Sequence, residues 1–337
     1  MFNICGNILK RLLYIMFSII ITTLILSLFC LIYNYTGIHI NNASNATDYV
    51  WEPYQYKGTM VEGYAWLKMD KNGFNNYNSN YNNIDILLMG SSHMEALQVA
   101  KNENTGYLLK KSLSYELYNI GMSGHQIYHT VDNLPYALDL YMPTKYVLLE
   151  TSTLNLDSNK MLEVINGTRK KITSYDNGIM YYAQKIPVIK SIVKKMQDWI
   201  SNEEDNNIKG EIVNIDEYRD ILYNFLNIVS VNSKKHNITP IIFYHPIETL
   251  NEDGTVNYNI DYDYYNIYKD ICQKLGIVFV DTVPYFEKLF IEEHKLGHGF
   301  TNTKVGSGHL NKDGHRICAK ALIDKINELE GDVNVIY

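Results

Sequence analysis

Cysteine is scarce in this chain: 4 among 337 residues, with no CxxC pair and no Cys/His cluster. That spacing argues against a structural zinc site. Cys5 and Cys30 fall in an apolar N-terminal region, and Cys272 and Cys318 fall on predicted helices, where they read as buried thiols. A long basic run is missing from the body, and the net charge is −7, so nucleic acid is not the expected partner. No internal repeat is visible. The excess of Asn, Ile and Tyr (29 Tyr) reads as compositional bias and carries no function. What is present is enough apolar material, 46%, for a full core in one large domain or two small ones.

Leu12 to Tyr33 is an almost unbroken apolar run of 22 residues. A bilayer core of roughly 30 Å needs about 20. Lys10 and Arg11 precede the run, whereas Asn34 to Val50 contains neither Lys nor Arg. The positive-inside tendency then puts residues 1–11 in the cytoplasm and the body outside, with 12–33 as the span. A cleaved signal peptide is the competing reading. The run is long for an h-region, and the nearest small-x-small site, Ser44-Asn45-Ala46, lies well beyond it. Cys30 follows Phe29, too bulky for a lipoprotein cleavage site.

Residues 34–83, rich in Asn, Tyr and Gly, read as a stalk and lead-in. From 84 onward strands and helices alternate. Strands are expected at 84–89, 118–120, 146–150, 238–244 and 277–281. Helices are expected at 95–117, 125–140 (kinked at Pro135 and stopped by Pro143), 215–236, 261–275 and 312–330. Such alternation means βαβ units and a parallel sheet of about five strands, and runs apolar on both faces fit covered central strands. Residues 157–214 interrupt the pattern as a mixed insertion.

In open parallel sheets the site lies at the C-terminal ends of the strands. Ser91-Ser92 follows the first strand, Gly121-Met122-Ser123-Gly124 the second, Thr151 to Asn155 the third, His245 the fourth, and Gly308-His309 precedes the last helix. A serine hydroxyl is a poor nucleophile until a base takes its proton, and His309 has the intrinsic pKa for that task. Backbone N–H groups of Ser92 and Gly124 would meet the oxyanion, each such donor typically being worth about 2.7–4 kcal/mol of barrier. Alone, Ser91-Ser92 with Glu95 is also a capping box, and a lone loop histidine is more often a surface residue. His93 is read as a capping or solvent-facing residue and His315 as the polar face of the last helix. A metal held by His93, His125 and His309 lacks supporting carboxylate spacing, and no cofactor is implied.

Over 84–330 the chain resembles SGNH/GDSL-type hydrolases. The resemblance implies a flavodoxin-like three-layer α/β/α sandwich. Gly90-Ser91-Ser92 fills the Gly-Asp-Ser block, making Ser92 the nucleophile, with Ser91 replacing the block's Asp. Asn119-Ile-Gly121-Met-Ser123-Gly124 matches the second block and points to Gly124 as an oxyanion donor. In the third block Leu154 occupies the usual Asn position and Asn155 comes one residue late. His309-Leu310-Asn311 matches the final block, yet Gly306 stands where the family places its acid. The group orienting His309 is left open among a backbone carbonyl, Asp281 and Glu150. His245 and His125 are candidates for touching substrate or orienting the imidazole.

The resemblance implies a membrane-anchored, extracytoplasmic serine esterase or O-acyltransferase acting on an envelope or exported polysaccharide through an acyl-serine. A membrane acyl-donor partner follows by analogy only. The absent acid and displaced Asn leave a non-catalytic glycan-binding or scaffold relative as the alternative. A lipid-directed esterase would need an apolar groove that the sequence does not display.

Overall fold

A computed structural model describes residues 2–34, 37–172, 182, 185–190, 192 and 214–331. The apolar run becomes helix α1 (Phe2–Asn34). Its segment Asn7–Leu31 has a mean hydropathy of 2.5, and among the described residues it is the one helix long and apolar enough to cross a membrane.

The segment read as a stalk is folded onto the body. β1 (His39–Asn41) pairs antiparallel with β2 (Tyr49–Trp51), and β3 (Tyr56–Thr59) with β4 (Ala65–Lys68). Trp51, Leu67, Met69 and Phe74 are buried in the main core. Three- and four-residue strands separated by Asn and Gly are too short for a period of two to register in the sequence. Arg169, at the start of the expected insertion, forks onto Asp48 of this segment and Asp132, both at 2.7 Å. Beyond α5 (Ser158–Ile165) and the residues up to 172, most of that insertion lies outside the described residues.

The central sheet follows from runs apolar on both faces. β5 (Ile86–Met89), β6 (Leu117–Asn119), β7 (Tyr146–Thr151) and β8 (Thr239–Tyr244) are joined by β11 (Val278–Asp281), after a small hairpin of β9 (Thr249–Leu250) and β10 (Val256–Asn257). The sheet has five strands, all parallel, in the order β11-β8-β7-β5-β6. Counted along the chain that is the doubly wound order 2-1-3-4-5, whose winding reverses between β5 and β7.

Alternate residues feed two cores, as the pleat requires. Leu87, Val147, Leu149 and Ile242 face one core, under α4 (Ile127–Tyr141), α6 (Ile215–Lys235) and α7 (Tyr262–Leu275). Ile86, Leu88, Leu148 and Phe243 face the other, under α3 (Thr105–Leu113), α8 (Val283–Glu293) and α9 (Lys312–Glu330). The result is the three-layer α/β/α sandwich. One expected helix differs: 95–117 is broken into the single turn α2 (Ser92–Glu95) and α3, because Ala96 turns left-handed (φ 54°) and Asn104 caps a new start. Pro135 sits inside α4, which ends at Tyr141, with Met142 left-handed before Pro143.

Candidate active site

The chain leaves β5 through Gly90, where a Cβ would lie 2.8 Å from the Glu150 side chain, so only glycine passes. Ser91 then caps α2, its hydroxyl accepting from the His93 N–H at 3.2 Å. Ser92 is the first residue of the turn. The capping-box reading of Glu95 is corrected. Its buried carboxylate accepts instead from the Trp51 indole N–H, from Ser123 N at 2.8 Å and from the Ser123 hydroxyl. Glu95 therefore ties the turn that carries Ser92 to the loop carrying Gly124. That loop is fixed again by Asn119, which donates to the Met94 carbonyl at 2.6 Å and accepts from Gly121 N at 2.8 Å. Gly124 adopts φ +82°, a left-handed conformation that favours glycine.

Segments 217 residues apart meet at Ser92. Its Oγ lies 2.8 Å from His309 Nε2. On the other side of the ring, Nδ1 lies 2.6 Å from Glu62 Oε2, and the His309 backbone N–H donates to Glu62 Oε1, also at 2.6 Å. An ionised carboxylate only accepts. The neutral imidazole therefore carries its proton on Nδ1 and turns the Nε2 lone pair toward the serine hydroxyl. Burial pushes the Glu62 carboxyl up, but the two hydrogen bonds and charge of His309 outweigh it and hold the group below the usual carboxylate range. Gly308 (φ +95°) makes the approach possible, since a Cβ there would come within 2.2 Å of Glu62 Oε1. Asn302 clamps the Glu62 turn, accepting from Gly63 N at 3.0 Å and donating to the Met60 and Gly63 carbonyls at 2.8 and 3.1 Å.

The candidates for orienting His309 need correcting. Asp281 accepts from the Tyr265 hydroxyl and from Val283 N, both at 2.9 Å, so it fastens the start of α8. Glu150 is buried, accepts from Ser91 N at 2.8 Å and pairs with His245 Nε2 at 2.9 Å. Burial raises its carboxyl, yet His245 and Ser91 bring it below its ordinary value. Glu62 could not be found from the last motif, because it comes from the segment expected to be a stalk; Val61-Glu62-Gly63 carries no pattern of its own.

His245 is 0% exposed and so does not face the rim as expected; its ring stands 4.6 Å from that of His93, edge to face. Nor does His93 cap or face solvent as expected. Its Nδ1 accepts from Leu310 N at 3.2 Å and its ring lies 5.2 Å from that of His309. Burial, then the neighbouring imidazoles, push it well below an ordinary histidine, so it stays a neutral acceptor. A third pair, His298 with Glu248 at 2.9 Å, borders the same cluster. His315, expected on a polar face, is buried against the Thr105 hydroxyl at 2.9 Å. Asn155 and His125 line a cleft of about 200 Å³ together with Ser91. Among the described residues no group of three or more His, Cys, Asp and Glu has the arrangement to hold a metal ion.

No protein-family model and no curated protein matches the chain. Solved structures do. The acetyl xylan esterase AlAXEase is 15% identical, with a TM-score of 0.42, covering 72% of this chain and 98% of its own. The psychrotrophic esterase EstA from a Pseudoalteromonas species is 13% identical, with a TM-score of 0.40, over 74% of this chain and 100% of its own. A GDSL-like lipase from Bacteroides thetaiotaomicron is 13% identical, with a TM-score of 0.36, over 72% and 88%. Two of these three structures are esterases and one is a GDSL-like lipase.

Proposed function

We propose that this chain is a serine esterase or O-acyltransferase, tethered to the cell membrane by α1, that works outside the cytoplasm on esters of an envelope or exported polysaccharide. One observation carries the reading: Ser92 Oγ, His309 and Glu62 form a continuous line of contacts at 2.8 and 2.6 Å. Such a line makes a hydroxyl nucleophilic. His309 Nε2 takes the Ser92 proton as Oγ bonds to the ester carbonyl carbon. The oxyanion is met by the backbone N–H groups of Ser92 and Gly124, with Asn155 nearby on the same rim. His309 then returns the proton to the departing alkoxide, leaving an acyl-serine and a free alcohol. Water or a sugar hydroxyl, deprotonated by the same imidazole, attacks that acyl group and restores Ser92. Esterase and transferase differ only in this acceptor.

The non-catalytic alternative rested on glycine at 306 and on the displaced Asn155. A carboxylate 2.6 Å from His309 Nδ1 supports the working-enzyme reading instead. Lys10 and Arg11 before the span support a cytoplasmic N-terminus. The test uses the full chain in detergent with a fluorophosphonate probe and p-nitrophenyl acetate. Labelling and hydrolysis, both lost in Ser92→Ala, are expected. A wild-type chain that neither labels nor hydrolyses returns the scaffold reading.

A further inference from the structure

The cleft beside the nucleophile has a chemical character of its own. It opens at the sheet's switch point, between the loops that follow β5 and β7. Its wall includes Ser91, His125, Tyr128, Ser152, Asn155 and Lys160. These offer hydroxyls, a carboxamide, an imidazole, an ammonium and one flat aromatic ring, with Ile127 and Leu156 adding apolar surface. The wall is held in shape before anything binds. The Tyr128 hydroxyl accepts from Asp157 N at 2.6 Å, and Thr151 Oγ1 donates to the Thr153 carbonyl at 2.7 Å. Within it, His125 is 4% exposed, and its Nε2 is buried with no hydrogen-bond partner in the protein. Burial depresses this imidazole to about 3, so it meets a ligand as a neutral group. A buried polar atom left unmatched is a place where a ligand hydroxyl is gained and a methylene is rejected.

We propose that this cleft is a sugar subsite: it receives one pyranose ring of the alcohol side of the ester, with a ring hydroxyl on His125 Nε2, and excludes the acyl chain. A long acyl chain would leave these polar groups unmatched. About 200 Å³, the share of roughly seven liquid waters, suits a single ring. The inference rests on the proposed esterase reading for its place beside Ser92, but sugar binding can be measured without turnover.

Saturation-transfer NMR on the full-length Ser92→Ala chain in detergent, with methyl β-D-glucopyranoside, methyl N-acetyl-β-D-glucosaminide and sodium hexanoate as probes, tests it. A glycoside is expected to receive saturation, and hexanoate none. In Ser92→Ala/His125→Leu the glycoside signal falls by about fivefold, the size of one neutral hydrogen bond. Ser152→Ala on the same background, at the loop surface, lowers it too and stands in if the His125 variant melts early. Hexanoate binding in place of glycosides, no binding by either glycoside, or a glycoside signal unchanged in both wall variants overturns the sugar subsite. Glycoside binding by a chain whose wild type neither labels nor hydrolyses would sink the esterase reading and leave the subsite standing. Labelling without glycoside binding would do the reverse.

Discussion

Two carboxylate–imidazole pairs of nearly equal length lie side by side in this molecule. Glu62–His309 spans 2.6 Å with side chains 21% and 27% exposed, whereas Glu150–His245 spans 2.9 Å with side chains 1% and 0% exposed. Only the first presents its far ring nitrogen to a serine hydroxyl. The second uses its spare carboxylate oxygen to hold Ser91 N and leaves His245 Nδ1 buried without a partner. The same chemical pair thus orients the His309 ring toward Ser92 and, one layer deeper, anchors the turn that carries Ser92. What separates the roles is access: a base must reach both substrate and solvent-borne protons.

The comparison breaks most sharply at Glu62. Glu62→Gln keeps the shape but can stabilise the wrong imidazole tautomer, and kcat is expected to fall by about 10⁴. The fall should be in kcat with KM little changed, measured on p-nitrophenyl acetate. A Glu62→Gln enzyme within tenfold of wild type would mean the acid is elsewhere. His245→Leu sharpens the other side. It leaves the Glu150 carboxylate buried without its imidazole, which costs about 3–5 kcal/mol of stability. Urea unfolding should show that loss, while the surviving folded enzyme keeps far more activity than Glu62→Gln does. Equal losses of activity in the two variants would erase the distinction between the pairs. Asn302→Ala comes next. It touches neither Ser92 nor His309, but it frees the turn bearing Glu62, and a misplacement near 1 Å costs about 10² in rate. An unchanged rate with unchanged melting would show that Gly308 and the His309 N–H alone hold the acid.

These two halves of the site also differ in how much of them the sequence displays. The meeting of Ser92 with His309 was legible because each sits where a strand or loop hands over to the next element, and a doubly wound sheet brings all such ends to one rim. The five strands were legible for a similar reason: buried on both faces, they read as apolar runs. Glu62 was not legible. Its partner lies 247 residues away, and the hairpin around it is made of strands too short to show a period. Glu95 was misread for a local reason. Its spacing from Ser92 fits a capping box, but the helix is capped by Ser91 instead, and Trp51 and Ser123 take the carboxylate and bury it. Local rules describe what a side chain can do with its neighbours in sequence, and tertiary partners decide among those options.

The smallest effect, per group, concerns the imidazoles that no carboxylate frees for chemistry. Burial pushes His93, His125, His298 and His315 below the ordinary histidine value, His125 and His315 to about 3. In the unfolded chain these residues bind a proton near pH 6.5. Between that value and their folded values the unfolded state holds more protons, so stability falls as pH falls. Each contributes up to about 1.4 kcal/mol per pH unit in that window. Glu62 and Glu150 act lower on the scale. Their folded values are depressed, so the stability they add is present above the ordinary carboxylate range and lost as pH drops through it. A melting temperature that declines steadily from pH 7 to pH 5 therefore reports the buried imidazoles before any carboxylate is protonated. His315→Leu, which also gives up the contact with the Thr105 hydroxyl, should lower the plateau and flatten that decline. A flat melting curve over the same range in the wild-type chain would mean that these rings are hydrated or already paired in solution, and that the deep layer is not the dry support it is taken to be.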